Sequence, residues 1–306
     1  MADSKIIAIA GPTGTGKTSL SIALAKELNG EIISADSMQV YKKMDIGTAK
    51  VTKEEMEDIP HYLVDIQDYS EPYNVKIFQE KCRQAIDEIL AKGKVPILCG
   101  GTGLYLKAAL YDYVFKDEEL DPALLKEIAA MSTEDILARL QIMDPKALEK
   151  IHPNNRRRLE RALAICSSGE NKSSREDEQE HKPIYDVFWI GLNADKKLVD
   201  ERIDLRVEKM FEDGLVQEVT ELFCDPKTWE YSSFQGIGYK EFRDYFENKA
   251  SLEEVKEKIK IHSRQYAKRQ MTWFRHQMPV EWFHLADRDE IVKAAKNWYG
   301  QSESKI

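Results

Sequence analysis

Apolar runs with the length of buried strands alternate with helical patterns over the first hundred residues. A helix is predicted from Ser19 to Leu28, where Gly30 stops it, and a second from Asn74 to about Ala91. The strand candidates are 5–10, 31–35, 61–64 and 95–99. Strands that alternate with helices are typical of a parallel sheet covered by helices.

The pattern changes between residues 112 and 183. Asp121, Thr133 and Asp144 each mark a helix start, and no strand pattern is present. We therefore expect a helical insertion at 112–183 within a core formed by 1–111 and 184–306. The stretch 167–182 is polar and charged without an apolar period, which predicts a loop or a disordered segment.

The alternation returns after the insertion. A strand is predicted at 184–192, and Asp195 begins a helix that ends near Gly214. Ser251 and Glu254 form a capping box for a long helix to about Gln277. Pro279 ends that helix, and 280–285 is the last strand candidate. The fold class is therefore α/β, a parallel sheet flanked by helices, with an all-helical insertion.

The segment GPTGTGKT, Gly11 to Thr18, fits the P-loop pattern and stands between a predicted strand and a predicted helix. Its glycines allow a tight turn that directs backbone N–H groups inward, and the helix N-terminus adds partial positive charge. Lys17 supplies a full charge, and the Thr18 hydroxyl can hold Mg²⁺. The context makes an ordinary glycine turn a poor alternative.

Two further polar positions follow strands at the same predicted edge of the sheet. Asp36 follows the second strand, and Thr102 lies in the glycine-rich turn after the strand at 95–99. Ligands bind at the carboxyl ends of parallel strands, so both should face the P-loop. A carboxylate there can hold Mg²⁺ through water or take a proton from a nucleophile. An ordinary turn or cap residue is the alternative for Asp36.

Basic residues cluster at four places in the second half of the chain. Arginine side chains suit phosphate, and a basic helix face can follow a nucleic-acid backbone. The clusters are Arg157, Arg158 and Arg161; Arg202 and Arg206; the turn Gly236 to Lys240; and a ridge of Lys260, Arg264, Lys268 and Arg275. Each has a plainer explanation as a solvated face, and Glu201 and Asp204 could neutralise the second cluster.

Composition constrains the setting without identifying a ligand. The 306-residue chain has a net charge of −9, which by itself argues against nucleic acid, although the local basic clusters argue for it. The four cysteines form no CxxC pair, which favours free thiols in the cytosol and argues against a zinc site. No signal peptide or membrane span is indicated.

Together, GPTGTGKT, ISADSMQVY, GGTGLY, the Asn154–Leu163 arginine segment, GIGYKE and YAKRQMTWFR occur in a fixed order from Gly11 to Arg275. In this the chain resembles bacterial tRNA dimethylallyltransferases. The resemblance implies a P-loop kinase-like core with an inserted helical domain. The chain departs from the family at 167–181, which is more acidic, and at Leu124 to Lys126, where the family tends to carry an arginine.

The resemblance also implies a reaction. Dimethylallyl pyrophosphate would give its dimethylallyl group to N6 of the adenosine 3′-adjacent to the anticodon, with pyrophosphate as the leaving group. Mg²⁺ would assist, and the partner would be a tRNA anticodon stem-loop. We expect a cytoplasmic monomer.

Specific residues follow from this resemblance. The catalytic residues would be Asp36 as the base, Thr102, Lys17 and Arg206, with Thr18 on the metal. Pyrophosphate would be held by Gly11, Thr13, Gly14, Thr15, Gly16, Lys17, Thr18, Arg202 and Arg206. Contacts to tRNA would come from Asp36, Ser37, Met38, Gln39, Thr102, Arg157, Arg158, Arg161, Gly236, Gly238, Tyr239, Lys240, Arg264, Lys268, Arg269 and Arg275.

Two alternatives remain. A small-molecule kinase of the shikimate or gluconate type shares the P-loop and an aspartate on the second strand, but is usually shorter and needs no basic C-terminal helix. An RNA-binding P-loop switch protein would show ATP-dependent RNA affinity instead of transfer.

Overall fold

The computed structural model describes residues 4–115, 121–169, 181–224 and 226–300. The chain divides into two compact units. The core unit comprises Met1–Tyr111 and Pro183–Ile306, and the insertion unit comprises Asp112–Lys182. The predicted loop at 167–182 falls mostly outside the described residues.

The core unit is built on a six-stranded parallel sheet with the strand order β3-β2-β4-β1-β5-β6. The strands are β1 (Lys5–Ala10), β2 (Gly30–Ser34), β3 (His61–Tyr62), β4 (Val95–Gly100), β5 (Asp186–Asn193) and β6 (Glu281–His284). In β1 every residue after Lys5 is buried, because helices cover both faces of such a sheet. The predicted α/β class is therefore confirmed.

The helices of the core unit are α1 (Lys17–Leu28), α2 (Lys53–Met56), α3 (Val75–Ala91), α4 (Gly103–Leu110), α9 (Lys196–Glu212), α10 (Leu215–Leu222), α11 (Arg243–Phe246), α12 (Leu252–Gln277) and α13 (Arg288–Gly300). Short 3₁₀ segments at Pro226–Glu230, Ser233–Gln235 and Lys240–Phe242 connect α10 to α11. The predicted caps of α3 and α12 are confirmed. Asn74 accepts two backbone N–H groups, and Ser251 with Glu254 forms the capping box.

The insertion unit contains α5 (Pro122–Ala130), α6 (Thr133–Met143), α7 (Pro145–Lys150) and α8 (Arg156–Ser167). Asp121, Ser132 and Asp144 cap the first three helices with their side chains, which confirms the helix starts read from the sequence. These helices share one apolar cluster that includes Ile128, Leu140 and Leu159.

The strand predictions at 61–64 and 280–285 were each two residues too long. Strand β3 ends at Tyr62 because Leu63 takes a positive φ of 62°, which no strand accommodates. Strand β6 spans Glu281–His284, inside the predicted 280–285.

Candidate functional site

The P-loop joins β1 to α1 and is closed by its own contacts. Gly14 and Gly16 have φ values of 84° and 75°, a region that side chains with a Cβ rarely adopt. The Thr15 hydroxyl and the Lys17 ammonium group each donate to the carbonyl of Pro12 at 2.8 Å. These contacts hold the loop in the shape of an anion-binding turn.

Lys17 carries a charge that its surroundings disfavour. The pKa of Lys17 is lowered to about 8, chiefly by burial and also by nearby Arg206, and this value already includes the opposite effects of Cys99 and Asp36. A bound phosphate would supply the missing negative charge and favour the protonated form.

Helix α9 brings two arginines to the loop. Arg206 Nη1 donates to the Thr13 hydroxyl at 2.6 Å, and Arg202 Nη1 lies 3.4 Å from the Gly14 carbonyl. Burial lowers the pKa of Arg206, and the negative charge of Asp36 partly restores it. Neither predicted neutralising residue pairs with these arginines, since Asp204 binds Arg264 and Glu201 lies 3.9 Å from Lys197.

A cavity of about 500 Å³ connects the P-loop with the end of β2. Its wall includes Asp36, Ser37, Met38 and Gln39, as well as Lys17. The predicted neighbourhood of Asp36 and the P-loop is thus present. Asp36 Oδ1 also accepts the N–H groups of Met38 at 2.8 Å and Gln39 at 3.3 Å, so the turn role that was the alternative is real as well.

Thr102 lies at the N-cap of α4, but its side chain does not cap the helix. Its hydroxyl oxygen is buried and makes no hydrogen bond of normal geometry among the described residues. Burial raises the pKa of the neighbouring Tyr266, and Asp36 adds to the rise, whereas Thr102 and Gln270 lower it. Thr102 therefore lies beside Asp36, since its N–H donates to the Ala35 carbonyl at 3.3 Å, but its buried hydroxyl is not part of the cavity wall.

The turn from Gly236 to Lys240 has two roles: it forms part of the cavity wall, and it packs against the neighbouring turn at Gly47. Gly236 and Lys240 line the cavity, and a Cβ on Gly236 would lie 2.3 Å from Met38 Cε. The predicted RNA contact of Tyr239 does not fit the structure, because Tyr239 is fully buried and its hydroxyl donates to Glu218 at 2.7 Å. Gly238 likewise packs on the backbone of Gly47, where a Cβ would come within 2.8 Å.

Glu218 explains why Tyr239 is buried there. Its carboxylate accepts the backbone N–H groups of Asp45, Ile46 and Gly47 at 2.7–3.0 Å. Tyr239 completes this arrangement with its hydroxyl, and so fixes the 45–47 turn beside the cavity. No periodic pattern in the sequence separates this role from an RNA contact.

The basic ridge on α12 is only half available. Lys260 pairs with Glu208 and Glu257, both at 2.6 Å, and Arg264 pairs with Asp204. The ridge interpretation is therefore wrong for these two residues, which stabilise the packing of α12 on α9. Lys268, Arg269 and Arg275 are exposed, and the first two border a surface groove on the same helix.

Val255, Ile259, Tyr266 and Trp273 recur along α12 at steps of four or seven, a spacing that predicts a buried stripe. Val255 and Ile259 are buried as expected, but Tyr266 faces the cavity and Trp273 is partly exposed. No sequence pattern indicated that Tyr266 is a cavity residue or that Gln270 lines the same cavity. Both residues lie within two positions of basic residues on α12. The interpretation of this segment as a basic ridge therefore drew attention away from the cavity.

On the insertion unit, Arg157, Arg158 and Arg161 are exposed on α8. Their neighbour Arg156 serves the unit itself. It pairs with Glu160 at 2.6 Å and donates to the carbonyl of Met131 at 2.6 Å, at the end of α5. The arginine segment therefore contains one structural residue and three exposed ones.

The described residues provide no ready-made metal cluster. Among the residues that the structure describes, no cluster of three or more His, Cys, Asp or Glu side chains has metal-binding geometry. Thr18 is exposed at the rim of the P-loop and lines the cavity. Disulfide bonds do not involve any of the four cysteines, Cys82, Cys99, Cys166 and Cys224, all of which the structure describes. Within the described ranges no helix has both the length and the apolar character of a membrane span.

A phosphate loop on the central strand of a parallel sheet, with two cations and a carboxylate around one cavity, defines a P-loop protein acting on a phosphorylated ligand. The chain belongs to the IPP transferase family, whose model matches residues 39–277. The predicted resemblance is thereby confirmed.

Individual relatives agree with this assignment. A tRNA dimethylallyltransferase of Bacillus anthracis is 47% identical, covering 100% of this chain and 98% of that protein. The tRNA isopentenylpyrophosphate transferase structure from Staphylococcus epidermidis is 39% identical with a TM-score of 0.72, covering 98% and 100% of the two chains. A eukaryotic dimethylallyltransferase acting on tRNA is 34% identical with a TM-score of 0.81, covering 92% and 74%. These likenesses favour the transferase hypothesis over the kinase.

Proposed function

We propose that the protein transfers a dimethylallyl group from dimethylallyl pyrophosphate to N6 of the adenosine 3′-adjacent to the anticodon in tRNA. The observation that carries this proposal is the shared cavity, which brings the P-loop cations and the Asp36 carboxylate together. The names of the relatives supply the substrate class. The C1–O bond of the donor breaks, a C1–N6 bond forms, and pyrophosphate leaves.

The P-loop would bind the departing pyrophosphate. Lys17 and Arg206 offset the negative charge that grows on the bridging oxygen as the C1–O bond breaks. Arg202 adds charge at the outer side of the loop. Thr13 takes a supporting role, because its N–H and hydroxyl are already bonded to Gln270 and Arg206. Backbone N–H groups from Gly14 to Thr18 would then hold the phosphate oxygens.

Magnesium fits this site as a companion of the pyrophosphate. Mg²⁺ is commonly held by one or two protein oxygens together with substrate phosphates and water. Thr18 would supply the protein oxygen. When bound, the ion would neutralise charge on the leaving group.

Asp36 would act as the general base. The exocyclic amine of adenine is a poor nucleophile, so its proton must leave as the C1–N6 bond forms. Met38 is held against Gly236 at the cavity wall, where it would pack on the adenine with Ser37 and Gln39 alongside. Thr102 would donate a hydrogen bond to the bridging oxygen or position the base.

The acceptor adenosine must leave its stack to enter a cavity of this kind. A single-stranded anticodon loop lowers that cost. Lys268, Arg269 and Arg275 on α12, and Arg157, Arg158 and Arg161 on α8, would contact the RNA backbone. We expect the protein to act as a monomer, because every residue invoked comes from one chain, and a tRNA substrate favours a cytoplasmic location.

The test is incubation of the protein with labelled dimethylallyl pyrophosphate and unmodified tRNA, followed by nucleoside analysis. We expect label on N6 of the adenosine beside the anticodon, with one pyrophosphate released per transfer. A parallel incubation with ATP and shikimate or gluconate tests the kinase alternative. Phosphorylated product there, with no labelled nucleoside, would contradict the proposal.

A further inference from the structure

One buried side chain joins the two glycine loops of the core unit. Gln270, on α12, is only 6% exposed. Its amide oxygen accepts the backbone N–H of Thr13 in the P-loop at 3.0 Å, and its amide nitrogen donates to the carbonyl of Gly101 at 2.9 Å. Both ends of the amide are therefore bonded to loop backbone.

The close approach of α12 depends on glycine. A Cβ on Gly101 would lie 2.2 Å from Gln270 Nε2, and a Cβ on Gly103 would lie 2.1 Å from the Trp273 ring. Trp273 follows Gln270 by three residues on the same helix. The second glycine loop thus packs closely against a full turn of α12, from Gln270 to Trp273. The Gln270 bridge is part of this packing.

The same turn of α12 also carries exposed cations. Lys268 and Arg269 precede Gln270 directly and are exposed. Arg269 also lines the cavity and lies over the Tyr266 ring at 5.8 Å. A stiff helical turn therefore connects the side expected to bind RNA with the amide that holds the P-loop.

We infer that Gln270 is a positioning residue that fixes the donor loop and couples it to the RNA-binding side of α12. This inference rests on the proposed function. Because the Thr13 N–H is bonded to Gln270, it would not turn toward a bound pyrophosphate. The N–H groups of the following P-loop residues would then keep their inward direction. RNA on α12 and pyrophosphate on the P-loop then favour the same helix position, and each raises the affinity for the other.

The first experiment measures the affinity of the full chain for inorganic pyrophosphate without RNA. Gln270→Met keeps the length of the side chain and removes both hydrogen bonds. We expect roughly tenfold weaker binding, the effect of losing one or two such bonds near an anion. Gln265→Met, the same change at an exposed position on the same helix, is the control and should bind pyrophosphate as the wild type does.

A second measurement follows the bridge directly. Amide exchange at Thr13 should be slow in the wild type and fast in Gln270→Met. Gly101→Ala should displace the Gln270 amide and give the same two changes. Combining the two substitutions should add little, because both break one bridge. Unmodified tRNA should tighten pyrophosphate binding in the wild type and much less in either variant.

If Gln270→Met lowers the Tm but leaves the pyrophosphate affinity unchanged, Gln270 contributes only to the packing of α12. That result would overturn the inference. Protected Thr13 exchange in both variants would overturn it as well, and Gly101→Ala serves if Gln270→Met does not fold. None of these readouts needs prenyl transfer. A wild type that binds pyrophosphate through this bridge yet labels no tRNA would refute the proposed function alone.

Discussion

At the scale of single residues, the cavity keeps two cations near one carboxylate without pairing any of them. Within the described part of the chain, neither Lys17 nor Arg206 forms a salt bridge, and burial lowers the pKa of both. Asp36 Oδ1 accepts the N–H groups of Met38 and Gln39 in the turn that follows β2. Such unpaired charges are unfavourable alone and become favourable when an anionic ligand arrives.

Pyrophosphate binding should weaken as the pH rises through about 8. The pKa of Lys17 is lowered to about 8, so the cation is present below that pH and lost above it. Once Lys17 is neutral, affinity falls by about tenfold per pH unit, since binding must take up one proton. Titration of affinity from pH 6.5 to 10 measures this.

Lys17→Arg is the control for that titration, because arginine stays charged throughout the range. The ionisation of pyrophosphate itself affects both proteins equally. An identical pH dependence in the two would show that Lys17 does not titrate in this range.

Asp36→Asn should lower the single-turnover rate by about 10²–10⁴, the usual contribution of a general base. Asparagine retains the oxygen that accepts the Met38 and Gln39 N–H groups, so the turn and the tRNA affinity should persist. Asp36→Ala removes both roles and should show the same rate loss. A wild-type rate in Asp36→Asn would leave Asp36 with the turn role only.

Tyr239→Phe should affect stability and leave RNA binding unchanged. Removal of a buried hydroxyl bonded to Glu218 should cost about 1 kcal/mol of unfolding free energy. Urea unfolding and tRNA binding are the two measurements, and Tyr245→Phe, on a partly exposed ring, is the matched control. A loss of tRNA affinity at full stability would restore the RNA-contact interpretation.

At the scale of elements, α12 divides its 26 residues among several roles. Its first half packs on α9 through Lys260 and Arg264, which bind acidic residues of that helix. Its second half faces the cavity with Tyr266 and the solvent with Lys268. The basic residues that form one row in the sequence therefore have two different roles. Those in the first half of the helix form ion pairs, and those in the second half are exposed to solvent.

Lys268→Ala should weaken tRNA binding and reduce the slope of log affinity against log salt by about one, as expected for one lost phosphate contact. Lys260→Ala, the same change on the same helix, removes a lysine already paired with Glu208 and Glu257. It should leave the slope nearly unchanged. Equal slopes for wild type and Lys268→Ala would make the exposed face merely solvated.

At the scale of the whole molecule, each unit has its own apolar cluster. One cluster includes Ile7 and Ile97 of the sheet, and another lies entirely within the insertion. The chain leaves and re-enters the core unit at neighbouring points, because Tyr111 pairs with Pro183 and the Ile184 N–H bonds to the Leu110 carbonyl.

Replacing residues 113–182 with a short Gly-Ser linker should leave a folded core that binds pyrophosphate. The linker need only span the Tyr111–Pro183 pair. Affinity for tRNA should fall, because Arg157, Arg158 and Arg161 leave with the insertion. Calorimetry and pyrophosphate titration check the first outcome, and loss of pyrophosphate binding by a folded core would contradict it.

Much of the architecture could be predicted from local patterns. Strand β1, the caps at Asn74, Asp121 and Asp144, and the capping box of α12 depend on apolar runs and nearby side chains. The end of strand β3 could not be predicted, because the apolar pattern contains no sign of the positive φ of Leu63.

The sequence by itself determined the P-loop, since its glycines and Lys17 act on neighbouring backbone, and it placed Asp36 at a strand end. Only the tertiary structure decided that Tyr239 is buried under Gly47, that Lys260 is paired, and that Gln270 bridges Thr13 and Gly101. The reason is physical. Local conformation is set by neighbours in the chain, whereas the partner of a charge or an amide is set by whichever distant segment packs against it.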